Sequence, residues 1–136
     1  AEAAAPPNAP RLLAVTVLTS MDATQLAGTG ITDTPAQQVL RLAKLAEASG
    51  ITGMVCSPEE VSALRSTLNP ETLLDIPGIR PTGAAAQDPK RIATTSIAIA
   101  QGASMLVVGR PITQAQDPKA AAEAILAEIA AALPTT

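Results

Sequence analysis

The sequence predicts an α/β fold built from four parallel βα units. Short apolar runs rich in β-branched residues recur along the chain, and segments with helical periodicity and capping residues separate them. Two parallel strands need a crossover between them, and each helical segment is long enough to supply one. The architecture is therefore either a small open doubly wound sheet or half of a (βα)8 barrel, and the hydrophobic pattern fits both.

Four runs are predicted to be buried strands: residues 12–18, 51–57, 73–76 and 104–108. Four helices are predicted: residues 35–49, 58–68, 94–101 and 118–133. Three of them start with Pro and follow a capping residue, Thr34, Ser57 or Asp117, and the helix 94–101 is stopped by Gly102. Residues 1–10 are rich in proline and small side chains, so they are predicted to form a disordered or extended lead-in. Residues 11–136 then form a single half-barrel or open-sheet domain.

The amino-acid composition excludes several classes of functional site. The chain has 136 residues, 47% of them apolar, and it contains one cysteine (Cys56), no histidine and no aromatic residue. Neither a metal site nor a histidine base is expected, and Cys56 is predicted to be a core residue. A net charge of −3 without aromatic stacking groups argues against nucleic acid as a partner. No apolar run has the length of a membrane span and no signal-peptide pattern is present, so a cytoplasmic location is expected.

The loops after the third and fourth predicted strands carry the strongest functional pattern. Residues 77–81 read Pro-Gly-Ile-Arg-Pro and residues 109–113 read Gly-Arg-Pro-Ile-Thr. Ligands of parallel sheets bind beyond the carboxyl ends of the strands, where Arg80 and Arg110 would lie on neighbouring loops. Two guanidinium groups beside glycine backbone suit a phosphate. The alternative is that each loop is an ordinary turn with a solvated arginine.

Four segments, in this order, closely resemble the carboxyl-terminal half of the bacterial orotidine 5′-phosphate decarboxylases. They are residues 13–21 (LAVTVLTSM), 53–57 (GMVCS), 77–81 (PGIRP) and 108–114 (VGRPITQ). The resemblance spans about residues 11–133 and implies half of a (βα)8 TIM barrel. Members of that family are usually homodimers. They convert orotidine monophosphate (OMP) to uridine monophosphate (UMP) and carbon dioxide in pyrimidine biosynthesis, without a metal or an organic cofactor.

The same resemblance implies a set of substrate-binding residues. Thr19 would lie beside the pyrimidine base, with Ser20 close by. Arg80, Arg110 and the backbone at Gly109 would hold the 5′-phosphate. A phosphate site after the last two strands of such a barrel also agrees with the general behaviour of the fold.

Three departures from the family pattern weaken the expectation of an active enzyme. The family's alternating lysines and aspartates, in a segment resembling Asp-x-Lys-x-x-Asp, have no counterpart here, so no catalytic residue is assigned and no independent turnover is expected. Lys44, Lys90 and Lys119 fall on helical or loop positions and are not natural replacements. Pro89 stands where the family has a phosphate-covering glutamine, and Thr95 stands where it usually has proline.

Two hypotheses follow. The first is a nucleotide-binding half-barrel that associates with a second copy or with a complementary amino-terminal half, because a lone half exposes two sheet edges and an apolar inner face. The second is a designed or excised non-catalytic folding module that self-associates, which the missing aromatics and the alanine-rich last helix favour.

Overall fold

The sheet contains four parallel strands in the order of the chain. The computed structural model describes residues 6, 8–81 and 93–133, and there the strands are β1 (Leu13–Val15), β2 (Gly53–Val55), β3 (Leu73–Ile76) and β4 (Met105–Leu106). Neighbouring strands pair as β1-β2-β3-β4. All four fall within the predicted runs. Three are shorter than predicted, since hydrogen-bonded pairing covers only the middle of each apolar run. Most of the predicted lead-in, residues 1–5 and 7, lies outside the described residues.

Six α-helices accompany the strands in the described residues. They are α1 (Ala23–Gly28), α2 (Pro35–Ala48), α3 (Val61–Thr67), α4 (Thr95–Ala100), α5 (Arg110–Thr113) and α6 (Pro118–Ala132), and a 3₁₀ helix (Pro58–Glu60) leads into α3. The four predicted helices match α2, α3 with its 3₁₀ turn, α4 and α6. Helices α1 and α5 were not predicted, because six and four residues are too few to show a helical period.

The predicted caps explain where the longer helices begin and end. The Gln37 N–H donates to the Thr34 hydroxyl at 3.3 Å, and the Gln37 side chain accepts from the Thr34 N–H at 3.0 Å. This reciprocal pair fixes the start of α2. The same helix ends at Gly50, whose φ of 77° lies in the left-handed region that glycine adopts without steric cost. At α6 the Asp117 carboxylate accepts from the Ala120 N–H at 3.0 Å.

The strand order decides between the two predicted architectures. A doubly wound sheet reverses its strand order at a switch point, whereas a (βα)8 barrel keeps each strand next to its successor. The sequential order β1-β2-β3-β4 is that of the barrel. The chain therefore forms four parallel βα units, half of a (βα)8 barrel.

The two faces of the sheet differ in their burial. Met54, Leu74 and Ile76 are fully buried on the face that packs against α2, α3 and α4. The alternate strand residues form the opposite face, which is called the open face here; its side chains belong to Leu13, Val15, Val55, Leu73, Asp75 and Met105. Val15 on that face is 57% exposed. Parallel sheets are normally covered on both faces, and in the described part of the chain no helix covers this one.

No helix in the described part of the chain has the length and apolar character needed to cross a bilayer.

Candidate functional site

Arg80 and Arg110 lie in equivalent positions after two adjacent strands. Each comes the same number of residues after one member of a pair of residues that face each other across the two strands. Ile76 on β3 is the register partner of Leu106 on β4, and the Val107 N–H donates to the Ile76 carbonyl at 2.9 Å. Each arginine comes four residues after its member of this pair. Because parallel strands lie about 4.8 Å apart, the two loops leave the same edge of the sheet side by side.

The loop that carries Arg80 is anchored through its backbone. Gly78 has a φ of 78°, which turns the chain at the end of β3. Ile79 is 1% exposed and forms a parallel bridge with Ala93, and the Arg80 N–H donates to the Ala93 carbonyl at 3.0 Å. Among the described residues, the Arg80 guanidinium reaches only the Ile79 carbonyl, at 3.5 Å, which is the outer limit of a hydrogen bond. The backbone is therefore fixed while nearly all of the guanidinium donors are available.

The backbone at the start of α5, whose first residue is Arg110, is open to a ligand. Gly109 precedes α5, and a Cβ built on it meets no atom within 4 Å, so a ligand can approach the backbone closely. Arg110 is exposed, and its guanidinium has no hydrogen bond or ion pair with any residue that the structure describes. An unpaired guanidinium beside accessible backbone is a suitable receptor for an oxyanion.

Thr19 and Ser20 lie at the same end of the sheet but on its β1 side. They are the central residues of a turn that the Met21 N–H closes by donating to the Leu18 carbonyl at 2.9 Å. Thr19 is half-buried and Ser20 is exposed. Strand β2 separates this turn from the Arg80 loop, a spacing of roughly 10 Å across the sheet. The predicted site residues thus form two groups: Arg80, Gly109 and Arg110 follow the neighbouring strands β3 and β4, and the hydroxyl groups follow β1, two strands from β3 and three from β4.

A cavity of about 470 Å³ lies near the same end of the sheet, beside the starts of α1, α2 and the 3₁₀ helix. Its lining includes the carboxylates of Asp22, Glu59 and Glu60, and none of the five predicted site residues. Three acidic groups disfavour a phosphate. Glu60 is buried and accepts from the Ser57 N–H at 2.8 Å and from the Ser57 hydroxyl, so it caps the helix start.

Asp75 is a residue that sequence reasoning missed. It lies in β3 on the open face, and burial raises the pKa of its carboxyl above the ordinary value of 3.8. Its carboxylate has no hydrogen bond or ion pair within the described residues. The signal was present in the sequence, since Asp75 is the single acid within an otherwise apolar strand, between Leu74 and Ile76.

Several sequence predictions concern groups that do not join this site. Cys56 is 1% exposed and lies in the hydrophobic core, as predicted. Lys44 and Lys119 are exposed on α2 and α6. Among the described residues, no group of three or more histidine, cysteine or acidic side chains is placed to hold a metal ion. The segment with Lys90 and the substitution at Pro89, residues 82–92, lies outside the described residues.

Comparison with known proteins points to one family. The family model described as orotidine 5′-phosphate decarboxylase / HUMPS matches residues 1–125. The chain is 54% identical over 123 residues to the orotidine 5′-phosphate decarboxylase of Gluconobacter oxydans, and 58% identical over 122 residues to that of Rhodopseudomonas palustris. Each match covers 90% of this chain and 52% of the relative. The chain therefore spans about half the length of the curated relatives it matches.

Solved structures agree with the sequence matches. The crystal structure of orotidine 5′-phosphate decarboxylase from Lactobacillus acidophilus superposes with a TM-score of 0.77 at 44% identity, covering 94% of this chain and 54% of that one. An uncharacterised conserved protein from Geobacillus kaustophilus gives a TM-score of 0.72 at 28% identity with the same coverage.

Proposed function

The chain belongs to the orotidine 5′-phosphate decarboxylase / HUMPS family, and on this premise we propose that it is the phosphate- and pyrimidine-binding half of such a decarboxylase. Its ligand is a pyrimidine nucleoside 5′-monophosphate, OMP or UMP, bound in the cytoplasm at the carboxyl end of the sheet. Arg80, Gly109 and Arg110 bind the phosphate, and Thr19 and Ser20 lie on the side of the base.

The observation that carries this proposal is the pair of arginines at equal offsets from the Ile76–Leu106 register pair. A phosphate monoester carries about −1.5 to −2 charges at neutral pH and offers three acceptor oxygens. Two guanidinium groups supply both the charge and the forked donors that match those oxygens. Gly109 adds an open approach to the backbone.

The hydroxyl groups of Thr19 and Ser20 suit the other end of the nucleotide. A hydroxyl both donates and accepts, so it can pair with either a carbonyl or an N–H on the edge of a pyrimidine. The roughly 10 Å between their turn and the Arg80 loop leaves room for a sugar between base and phosphate.

We further propose that this half does not decarboxylate its ligand. Decarboxylation breaks the bond between the ring carbon and the carboxylate, leaves the electron pair on that carbon, and requires a proton to be delivered there. An arginine guanidinium keeps its protons, so it is a poor proton donor. The proposed binding residues include neither a lysine nor a carboxylate beside the base.

Turnover would then require a second half. The partner that would restore turnover is a complementary amino-terminal half that brings the family's lysines and aspartates, whereas a second copy of this chain would close the barrel without supplying them. Such a partner would also cover the open face.

Calorimetric titration with UMP tests ligand binding directly. UMP should bind more tightly than uridine, because uridine lacks the phosphate. Arg80→Ala and Arg110→Ala should each weaken UMP binding by about tenfold to a hundredfold, the loss expected for a charge-assisted hydrogen-bonded contact, and leave uridine binding unchanged. Arg41→Ala on α2 is the matched control, since it removes an arginine outside the proposed site.

Release of carbon dioxide from OMP is the second readout. The chain alone should release none above background, and release by the chain alone would contradict the proposal. Failure of UMP to bind at millimolar concentration, with the fold intact by circular dichroism, would contradict it as well and would favour the non-catalytic folding module.

A further inference from the structure

The backbone of Arg80 is held by a carbonyl at the start of α4. The Arg80 N–H donates to the Ala93 carbonyl at 3.0 Å, and Ile79, which is 1% exposed, forms a parallel bridge with Ala93. Pro81 follows and carries no N–H, so the Arg80 amide is the last backbone donor of residues 77–81. The position of the Arg80 backbone therefore depends on where the Ala93 carbonyl points.

That carbonyl belongs to the peptide unit that joins Ala93 to Thr94, the N-cap of α4. Thr94 is extended, with φ −74° and ψ 159°, and its hydroxyl accepts from the Ile97 N–H at 3.3 Å. The Thr94 carbonyl accepts from the N–H of Ala98, which is fully buried, so the first turn of α4 is fixed against the core. Because a peptide unit is planar, the cap that fixes the Thr94 backbone also orients the carbonyl that Arg80 uses.

We propose that Thr94 is a positioning residue for the phosphate site. Thr94 contacts no ligand; it orients the Ala93 carbonyl, and that carbonyl holds the Arg80 backbone. Among the described residues, the Arg80 guanidinium has only its 3.5 Å contact with the Ile79 carbonyl, so the backbone is what places it before a ligand arrives. Such preorganisation lowers the conformational entropy that is lost on binding. This inference rests on the proposed function, in which Arg80 binds the phosphate of the nucleotide.

The second arginine of the site is held in a different way. Arg110 is the first residue of α5, and the Gly109 carbonyl accepts from the Ile112 N–H at 2.9 Å, within the same short helix. In the part of the chain that the structure describes, the start of α5 has no hydrogen bond to α4 or to its cap. Loss of the Thr94 cap should therefore weaken phosphate binding through Arg80 and leave the contribution of Arg110 unchanged.

Hydrogen exchange of the chain without ligand tests the link between the cap and the Arg80 backbone. The internal reference is the Val107 amide, which donates to the Ile76 carbonyl within the sheet. In Thr94→Ala, the Arg80 amide should exchange about three- to tenfold faster relative to this reference. Thr94→Ser keeps a capping hydroxyl and should restore the wild-type ratio. Thr34→Ala is the matched control, because Thr34 caps α2 through a bond of the same 3.3 Å length, and it should leave the ratio unchanged.

Calorimetric titration with UMP tests the consequence for binding. Thr94→Ala should weaken UMP binding by about three- to tenfold, while Thr94→Ser and Thr34→Ala should bind UMP as the wild type does. The same factor should appear when Thr94→Ala is added to Arg110→Ala. No further loss should appear when it is added to Arg80→Ala, because the cap acts through the guanidinium that this variant lacks. A general loss of stability would instead weaken binding equally in both backgrounds.

Two results would overturn the inference. One is an unchanged relative exchange of the Arg80 amide in Thr94→Ala, and the other is an equal loss of UMP affinity with and without the Arg80 guanidinium. Unchanged UMP affinity in Arg80→Ala itself would overturn the proposed phosphate site and the role of Thr94 with it. The exchange ratio separates these cases, because it is measured without UMP and reports only whether the cap holds the Arg80 backbone.

Discussion

The guanidinium of Arg65 clamps the carbonyl of Gly102, with Nη2 donating at 2.8 Å and Nε at 3.2 Å. Nη1 of the same side chain donates to the carbonyls of Pro70 and Thr72 at 2.9 and 2.8 Å. One side chain therefore joins the end of α3, the entry to β3 and the turn before β4. This clamp lies at the amino ends of the strands, opposite the proposed ligand site. In barrels, residues at that end contribute to the stability of the fold and not to ligand binding.

Replacing Arg65 by lysine should lower the free energy of unfolding by about 2 kcal/mol, because an ammonium cannot serve three carbonyls in a fixed fork. Urea unfolding followed by circular dichroism measures the change. Arg41→Lys is the control: Arg41 pairs with Asp33 at 2.7 Å, but its side chain is 60% exposed, and a surface pair should change by less than about 1 kcal/mol. Equal losses in the two variants would show that the clamp contributes nothing beyond an exposed contact.

Thr95→Pro should stabilise the chain by about 1 kcal/mol. Thr95 is the first residue of α4, where the backbone N–H has no partner within the helix, and its buried hydroxyl has no hydrogen bond among the described residues. Thr94 already has the extended conformation that precedes proline, with φ −74° and ψ 159°. Thermal unfolding compares Thr95→Pro with Thr95→Val, which removes the hydroxyl but keeps the N–H. A proline variant less stable than wild type would contradict this account of the helix start.

Asp75→Asn should stabilise the chain by an amount that depends on pH. Because burial raises the pKa of Asp75, the folded chain holds this proton more tightly than the unfolded chain does. The resulting stability is fully present below about pH 3.8 and is lost as the pH rises through the raised pKa. The gain from Asp75→Asn should therefore be larger near about pH 7 than below pH 3.8. Urea unfolding at low chain concentration measures it, and a difference that does not change with pH would refute the assignment.

Arg110→Lys should weaken UMP binding less than Arg110→Ala does. Lysine keeps the positive charge but loses the planar fork that pairs with two phosphate oxygens, so a loss of about three- to tenfold is expected. Added salt should lower the affinity of Arg110→Ala for UMP less steeply than that of Arg110→Lys, because the alanine variant has one positive charge fewer. If lysine and alanine give the same affinity, the arginine fork rather than its charge dominates; if neither changes the affinity, Arg110 does not bind the phosphate.

The sequence predicted the fold well where several local signals agreed. Thr34, Pro35 and Gly50 mark both ends of α2 within a residue or two, because capping and backbone preference act locally. Strand lengths were harder to predict. Residues 12–18 look like one strand, but pairing stops at Val15, and that limit depends on β2 rather than on the run itself.

The candidate site was predictable in part. Arg80 and Arg110 stand beside glycine and proline in recognisable loops, and the register pair that aligns them became visible once the strands were paired. Asp75 was missed because its meaning depends on which face of β3 is covered. The sequence around Asp75 does not show which face of β3 is covered. The alternation of side chains along a strand shows only that Asp75 and Ile76 point to opposite faces.

The sequential strand order has a consequence for how the molecule forms. Each strand finds its neighbour one βα unit further along the chain, so no early segment must wait for a distant one before hydrogen bonding begins. Assembly can therefore proceed unit by unit as the polypeptide leaves the ribosome, with short loops to close at each stage.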